Sequence, residues 1–240
     1  MKKLLLLCGA MVALSATVAS AAGLNLSWND CGTNGQTART FACNTNAGNN
    51  DMYASVIPPG TVPRFVGIDV VMDLQFSTGN VPAWWDLRGS GGCRNTSLTM
   101  SSDMSASSSG GLACEDFFLG GGGGGIGAYF VGFGAPDRAR IVAFWAVPEE
   151  GTLNPVETYM FRMRVNNART VGTGACAGCL DGACIVLNSI NLARPAGVGD
   201  FFIANPANAN FVTFNGGTPG CPGTVPAKNK TWGQMKSLYR

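Results

Sequence analysis

Apolar side chains recur at every second position in several stretches of this 240-residue chain. Between Arg64 and Ser77, Val66, Ile68, Val70, Met72, Leu74 and Phe76 fall on one face, and Gly67, Asp69, Asp73 and Gln75 on the other, with Val71 the exception. Successive side chains of a strand leave on opposite faces, so a spacing of two predicts a long half-buried strand. A second run, Arg138 to Val147, sets Ile141, Ala143, Trp145 and Val147 inward, with Arg138 and Arg140 opposite. A third, Glu157 to Asn166, alternates Tyr159, Phe161, Met163 and Val165 with Arg162 and Arg164. Residues 183–193 and 210–214 read as further strands, and 24–28 and 52–57 open the sheet.

Gly, Pro, Asn and Ser separate these runs, which is the rhythm of a sandwich or barrel. Residues 101–111 are rich in Ser and Gly, and 120–125 are six consecutive glycines. Glycine loses the most backbone freedom on ordering, so the run is expected to be a mobile surface loop. It matches a dinucleotide-binding fingerprint trivially, but a strand rather than a helix follows it. Phe117 to Gly134 is uncharged, yet its glycines argue against a membrane span. Glu149 and Glu150 follow Pro148 in an expected turn. Residues 218–227 read as a Pro/Gly linker.

Lys2 and Lys3, an apolar stretch from Leu4 to Val18 and Ala19-Ser20-Ala21 form a secretory signal cleaved before Ala22. The expected organisation is therefore a signal at 1–21, a β-domain at 22–217, the linker and a tail at 228–240. No transmembrane span is expected after cleavage. The mature chain then carries 14 basic and 14 acidic residues, with lysine confined to Lys228, Lys230 and Lys236. A basic face for nucleic acid is missing. Histidine is absent altogether, which removes His-based triads and the commonest metal ligand.

Eight cysteines remain: Cys31, Cys43, Cys93, Cys114, Cys176, Cys179, Cys184 and Cys221. An even number in an exported chain reads as four disulfides rather than a zinc or redox site. Sequence neighbours point to Cys31–Cys43 and Cys93–Cys114, each closing a short loop worth about 3 kcal/mol. The last four are expected to pair among themselves.

The remaining chemistry is sparse. Asp69 and Asp73 share the outer face of one strand at about 13 Å, too far for a retaining glycosidase pair. Glu115 and Asp116 are adjacent and point apart in an extended chain. No cofactor is expected. A structural calcium ion in a loop is the one metal the acidic pairs allow, although no EF-hand-type pattern is present. Trp84 and Trp85 either pack in the core or leave one ring exposed to stack on a sugar, with Asp86 and Arg88 supplying hydrogen bonds. In the tail, Thr231 and Gln234 form a capping box, and Trp232, Met235, Leu238 and Tyr239 share one side of a short helix. That helix is expected to form only when docked on its own domain, a partner or a membrane face.

The strand rhythm of 140–146 and 158–165, after the long 66–76 strand, resembles cohesin and related carbohydrate-binding sandwiches. More specifically, the chain resembles a set of secreted bacterial β-sandwich proteins. The shared residues are an L-x-W-x-x-C segment at Leu26–Cys31, the strand Cys184–Asn191 and a WGxxKxLYR end at Trp232–Arg240. That likeness implies export and a fold, and brings no activity. The expected fold is an all-β, antiparallel, disulfide-stapled β-sandwich, jelly-roll or cohesin-like, with a short C-terminal helix. Its expected place is the periplasm, the exterior or the outer cell surface. The expected role is that of a non-enzymatic surface or interaction protein, its partner a protein or a cell-surface polysaccharide. A carbohydrate-binding module using exposed Trp is the alternative, and a carboxylate-based glycoside hydrolase the remote one.

If the signal is read correctly, intact-mass analysis of protein recovered from an expressing cell's exported fraction shows a chain starting at Ala22. A product retaining residues 1–21 would refute it.

Overall fold

A computed structural model describes residues 21–29, 31, 35–105, 114–218 and 220–221. Among the described residues eleven strands form two sheets: β1 Gly23–Trp28, β2 Ala38–Arg39, β3 Asn49–Ile57, β4 Val62–Phe76, β5 Leu98–Ser101, β6 Gly123–Val131, β7 Arg138–Leu153, β8 Thr158–Asn166, β9 Ala183–Ala193, β10 Phe201–Ile203 and β11 Phe211–Phe214. The smaller sheet runs β1-β3-β8-β5. The larger runs β2-β11-β9-β4-β7-β6, with β10 also on β9. Pairing is antiparallel except between the two-residue β2 and β11.

The alternating runs put their apolar sets between the sheets. Ile68, Val70, Met72 and Leu74 of β4 face Leu24, Leu26, Met52, Ala54 and Val56 of the smaller sheet within one continuous core. Each of these side chains larger than alanine contributes about 1.5–3 kcal/mol when fully buried. Across the layers, the Trp145 ring of β7 stacks on Phe161 of β8, centroids 5.3 Å apart. At the edge, Trp28 Nε1 donates to the Thr213 carbonyl at 3.0 Å, tying β1 to β11.

Several expectations change. The register slips around Phe65, where Arg64 takes a φ of 58°. That bulge turns Phe65 into the core and leaves Val66 half-buried. Glu149 and Glu150 lie in β7, not in a turn, because the strand continues to Leu153 opposite Val62 and Pro63. The glycine run is also only partly a loop. Gly123, Gly124 and Gly125 pair with Ala146, Trp145 and Phe144. A Cβ at Gly124 would lie 2.0 Å from the Phe144 carbonyl oxygen, so this close approach of backbones requires glycine.

The disulfides are Cys31–Cys114, Cys43–Cys179, Cys93–Cys176 and Cys184–Cys221. Pairing of Cys31 with Cys43 and of Cys93 with Cys114 is therefore overturned, and only Cys184–Cys221 stays within the last four. The reason is topological. Between Cys31 and Cys43 the chain leaves β1 of the smaller sheet and enters β2 of the larger one. Between Cys93 and Cys114 it runs through β5. Sequence neighbours are thereby carried to different places. The separations of 83, 136, 83 and 37 residues are long. Taken singly, closing loops of this size is worth roughly 4–5 kcal/mol in the chain-entropy model. All eight cysteines being oxidised, none is a thiolate for zinc.

Trp84 and Trp85 lie in a one-turn 3-10 helix at Ala83–Trp85, and both are fully buried. They close one end of the sandwich against Phe41 and Phe214, with Trp84 and Phe214 stacked 6.0 Å apart. Trp84 Nε1 donates to Thr170 Oγ1 at 2.9 Å. Trp84→Ala should therefore cost about 3–5 kcal/mol. Urea unfolding of the oxidised protein reads this directly, and a cost under about 1 kcal/mol would mean the ring is not core.

Candidate functional site

The two sheets treat their outer faces differently. On the smaller sheet, Cys31, Tyr53, Met104 and Cys114 form a second buried cluster with Tyr159 packed on it. Cys31 after β1, and Met104 and Cys114 after β5, thus lie over this face, joined by Cys31–Cys114. Asn25 and Ser55, also outward, are buried and donate to Glu157 Oε1 at 2.9 and 2.6 Å.

The outer face of the larger sheet carries a row of exposed side chains. Its register is fixed by pairing: Phe202 opposes Asn191, Asn191 opposes Asp69, and Asp69 opposes Phe144. Residues directly opposite share a face, so these four side chains form one row across β10, β9, β4 and β7. Phe202 and Phe144 are 56% and 51% exposed. Between them Asn191 Nδ2 donates to Asp69 Oδ2 at 3.3 Å and to Asp200 Oδ2 at 3.0 Å. Asp200 Oδ1 accepts the Arg194 main-chain N–H at 2.9 Å.

Farther along β4 the face is knit by charge. Arg140 donates to both oxygens of Asp73, at 2.6 and 2.7 Å, a bidentate pair largely shielded from water. The same guanidinium lies 3.9 Å from the Phe133 ring centroid, and Phe133 and Phe130 are themselves exposed.

The sequence-derived sugar platform at Trp84 and Trp85 is thus corrected: neither ring offers a face to solvent. Asp86 and Arg88 pair with each other at 2.6 and 2.7 Å. Asp69 and Asp73 do share the outer face, as expected, but only Asp73 is ion-paired to arginine. Glu150 pairs with Arg64, whose hydrogen bond holds that carboxyl below its usual range. Glu115 is exposed beside half-buried Asp116. Among the described residues no group of three or more His, Cys, Asp or Glu is gathered to hold a metal ion. None of their helices is long and apolar enough to cross a membrane. The tail residues Trp232, Met235, Leu238 and Tyr239 lie outside the described residues.

No known family and no curated protein matches this chain.

Phe144 had a legible signal: it is a large apolar residue in the outward parity set of Arg138 and Arg140. Phe202 and Asp200 had none, because the three-residue β10 is too short to show alternation.

The two carboxylates of β4 should separate in a stability test. Asp73→Ala strands a shielded guanidinium and should cost about 1.5–3 kcal/mol. Asp69→Ala, at an exposed position, should stay within about 0.5 kcal/mol. Equal costs in urea unfolding would contradict this assignment.

Proposed function

We propose that this chain is an exported, non-enzymatic surface or interaction protein that meets its partner on the open outer face of its larger sheet. The observation that carries this reading is the contrast between the faces. The smaller sheet's face is covered and stapled, whereas the larger sheet's, stapled only at its Cys184–Cys221 end, presents Phe144, Phe202, Phe130 and Phe133 to solvent around fixed polar groups. Large aromatic side chains left in water on a rigid sheet mark an interaction surface. The leader-like N-terminus and four disulfides support export to an oxidising compartment.

Carbohydrate binding remains the alternative, transferred from the buried tryptophans to the exposed phenylalanines. Hydrolysis has less behind it, since the carboxylates near Phe144 lie on an open face with no wall to exclude water.

Co-sedimentation of the mature protein with envelopes of the producing cell tests the proposal. Wild type should pellet with them, and Phe144→Ser/Phe202→Ser should lose about tenfold in affinity. Leu180→Ser, at a 76%-exposed position before the start of β9, should not. An unchanged double variant would remove this face from the function, and release of reducing ends from envelope polymers would refute a non-enzymatic role.

A further inference from the structure

We infer that the row Phe202–Asn191–Asp69–Phe144, with Asp200 beside it, is a binding site for a strand of neutral polysaccharide. This rests on the open face being the contact surface and names the class of partner.

Geometry comes first. Three strand spacings separate β10 from β7, so the two phenylalanines stand about 14 Å apart. That is the reach of a short run of sugar rings rather than of one ring. The neighbouring positions are low. Ala193, Gly67 and Ala146 oppose one another on one side of the row, and Ser189, Val71 and Val142 on the other. An extended polymer therefore lies across the strands without meeting a wall, touching the two rings that rise at its ends.

Chemistry points the same way. A phenyl face is flat, apolar and electron-rich, and suits the C–H face of a pyranose. The polar centre offers acceptors. Asn191 spends its amide N–H groups on Asp69 and Asp200, which fixes both carboxylates. Among the described residues, Asp69 Oδ1 and Asn191 Oδ1 accept no hydrogen bond, so they are open to hydroxyl donors. The nearest guanidinium on this end is engaged: Arg194 donates to the carbonyls of Gly199 and Val198 and lies 4.6 Å from the Phe201 centroid. Arg140 is held on Asp73, about 13 Å along β4. The two carboxylates outnumber the single guanidinium at this end of the row and so disfavour an anionic polymer. They also oppose face-to-face pairing of two copies, whose like charges would meet.

Affinity electrophoresis of the full mature chain decides the matter. The native gels carry hydroxyethylcellulose, glucomannan, mannan or xylan, with polygalacturonate as the anionic control. At least one neutral polymer should retard the protein and polygalacturonate should not. Phe144→Ala and Phe202→Ala should each weaken the retardation about tenfold. Asp69→Ala should weaken it several-fold, and Leu180→Ala should leave it unchanged. Unchanged migration in every neutral gel overturns the inference. So does equal retardation of the phenylalanine variants, stronger retardation by polygalacturonate, or a dimer in sedimentation that Phe144→Ala dissolves. If these fail while the envelopes still capture wild type but not the double variant, the sugar assignment falls and the open-face reading stands.

Discussion

Arg94 is the constraint on which one end of this sandwich depends. Its guanidinium is buried without a carboxylate and is satisfied by main-chain carbonyls instead. It donates to Trp84 at 2.9 Å, to Ala168 at 2.8 Å and to Asn166. The charge also sits 3.6 Å from the Trp84 ring centroid. Burial pulls its pKa down to about 10, which leaves it charged at neutral pH. A cation so placed tolerates little displacement, because each lost carbonyl leaves a donor without water. It therefore fixes the turn that carries Trp84 and Trp85 relative to the end of β8. Tyr129 of β6 adds to the same turn, donating to the Trp85 carbonyl at 2.6 Å, and burial raises its phenol above the ordinary range.

Once that end is closed, the disulfides follow from where the chain is left. Cys93–Cys176 lies by the residues Arg94 binds: Arg169 donates to the Cys93 carbonyl, and the Cys176 N–H donates to the Arg169 carbonyl at 2.8 Å. Cys43 joins the aromatic end to the loop before β9. Cys31–Cys114 instead fastens the cover on the smaller sheet. Cys184 opposes Gln75 on the outer face of the larger sheet, so Cys184–Cys221 staples one end of that face, and the other three disulfides lie elsewhere. That face is tied together by its own ladder and by Asp73–Arg140, and it displays Phe144 and Phe202 from strands.

How the parts combine bears on function. A binding row on a rigid sheet loses little conformational freedom when it binds, whereas a loop-borne platform at Trp84 and Trp85 would have to order itself. Those residues have the composition of a binding motif and serve as the plug. The exposed phenylalanines have the composition of core and serve as the surface. Hydrophobic residue type alone does not distinguish the two, because exposure depends on which loop passes overhead.

By itself the sequence determined the class of fold and the main strands. Period two in 64–77, 138–147 and 157–166 reports local backbone geometry and the side that water touches. It also determined that eight cysteines would pair and that Asp69 and Asp73 would share an outer face. Tertiary structure decided the rest. The bulge that brings Phe65 inward, the pairing of the first six cysteines and the burial of both tryptophans depend on contacts between residues far apart in the chain. So does the row of Phe202, Asn191, Asp69 and Phe144, whose members come from four strands. Periodicity within one strand says which face a residue takes, but only interstrand register says which residues stand together on it, and only the path of the connecting chain says whether that face is left open.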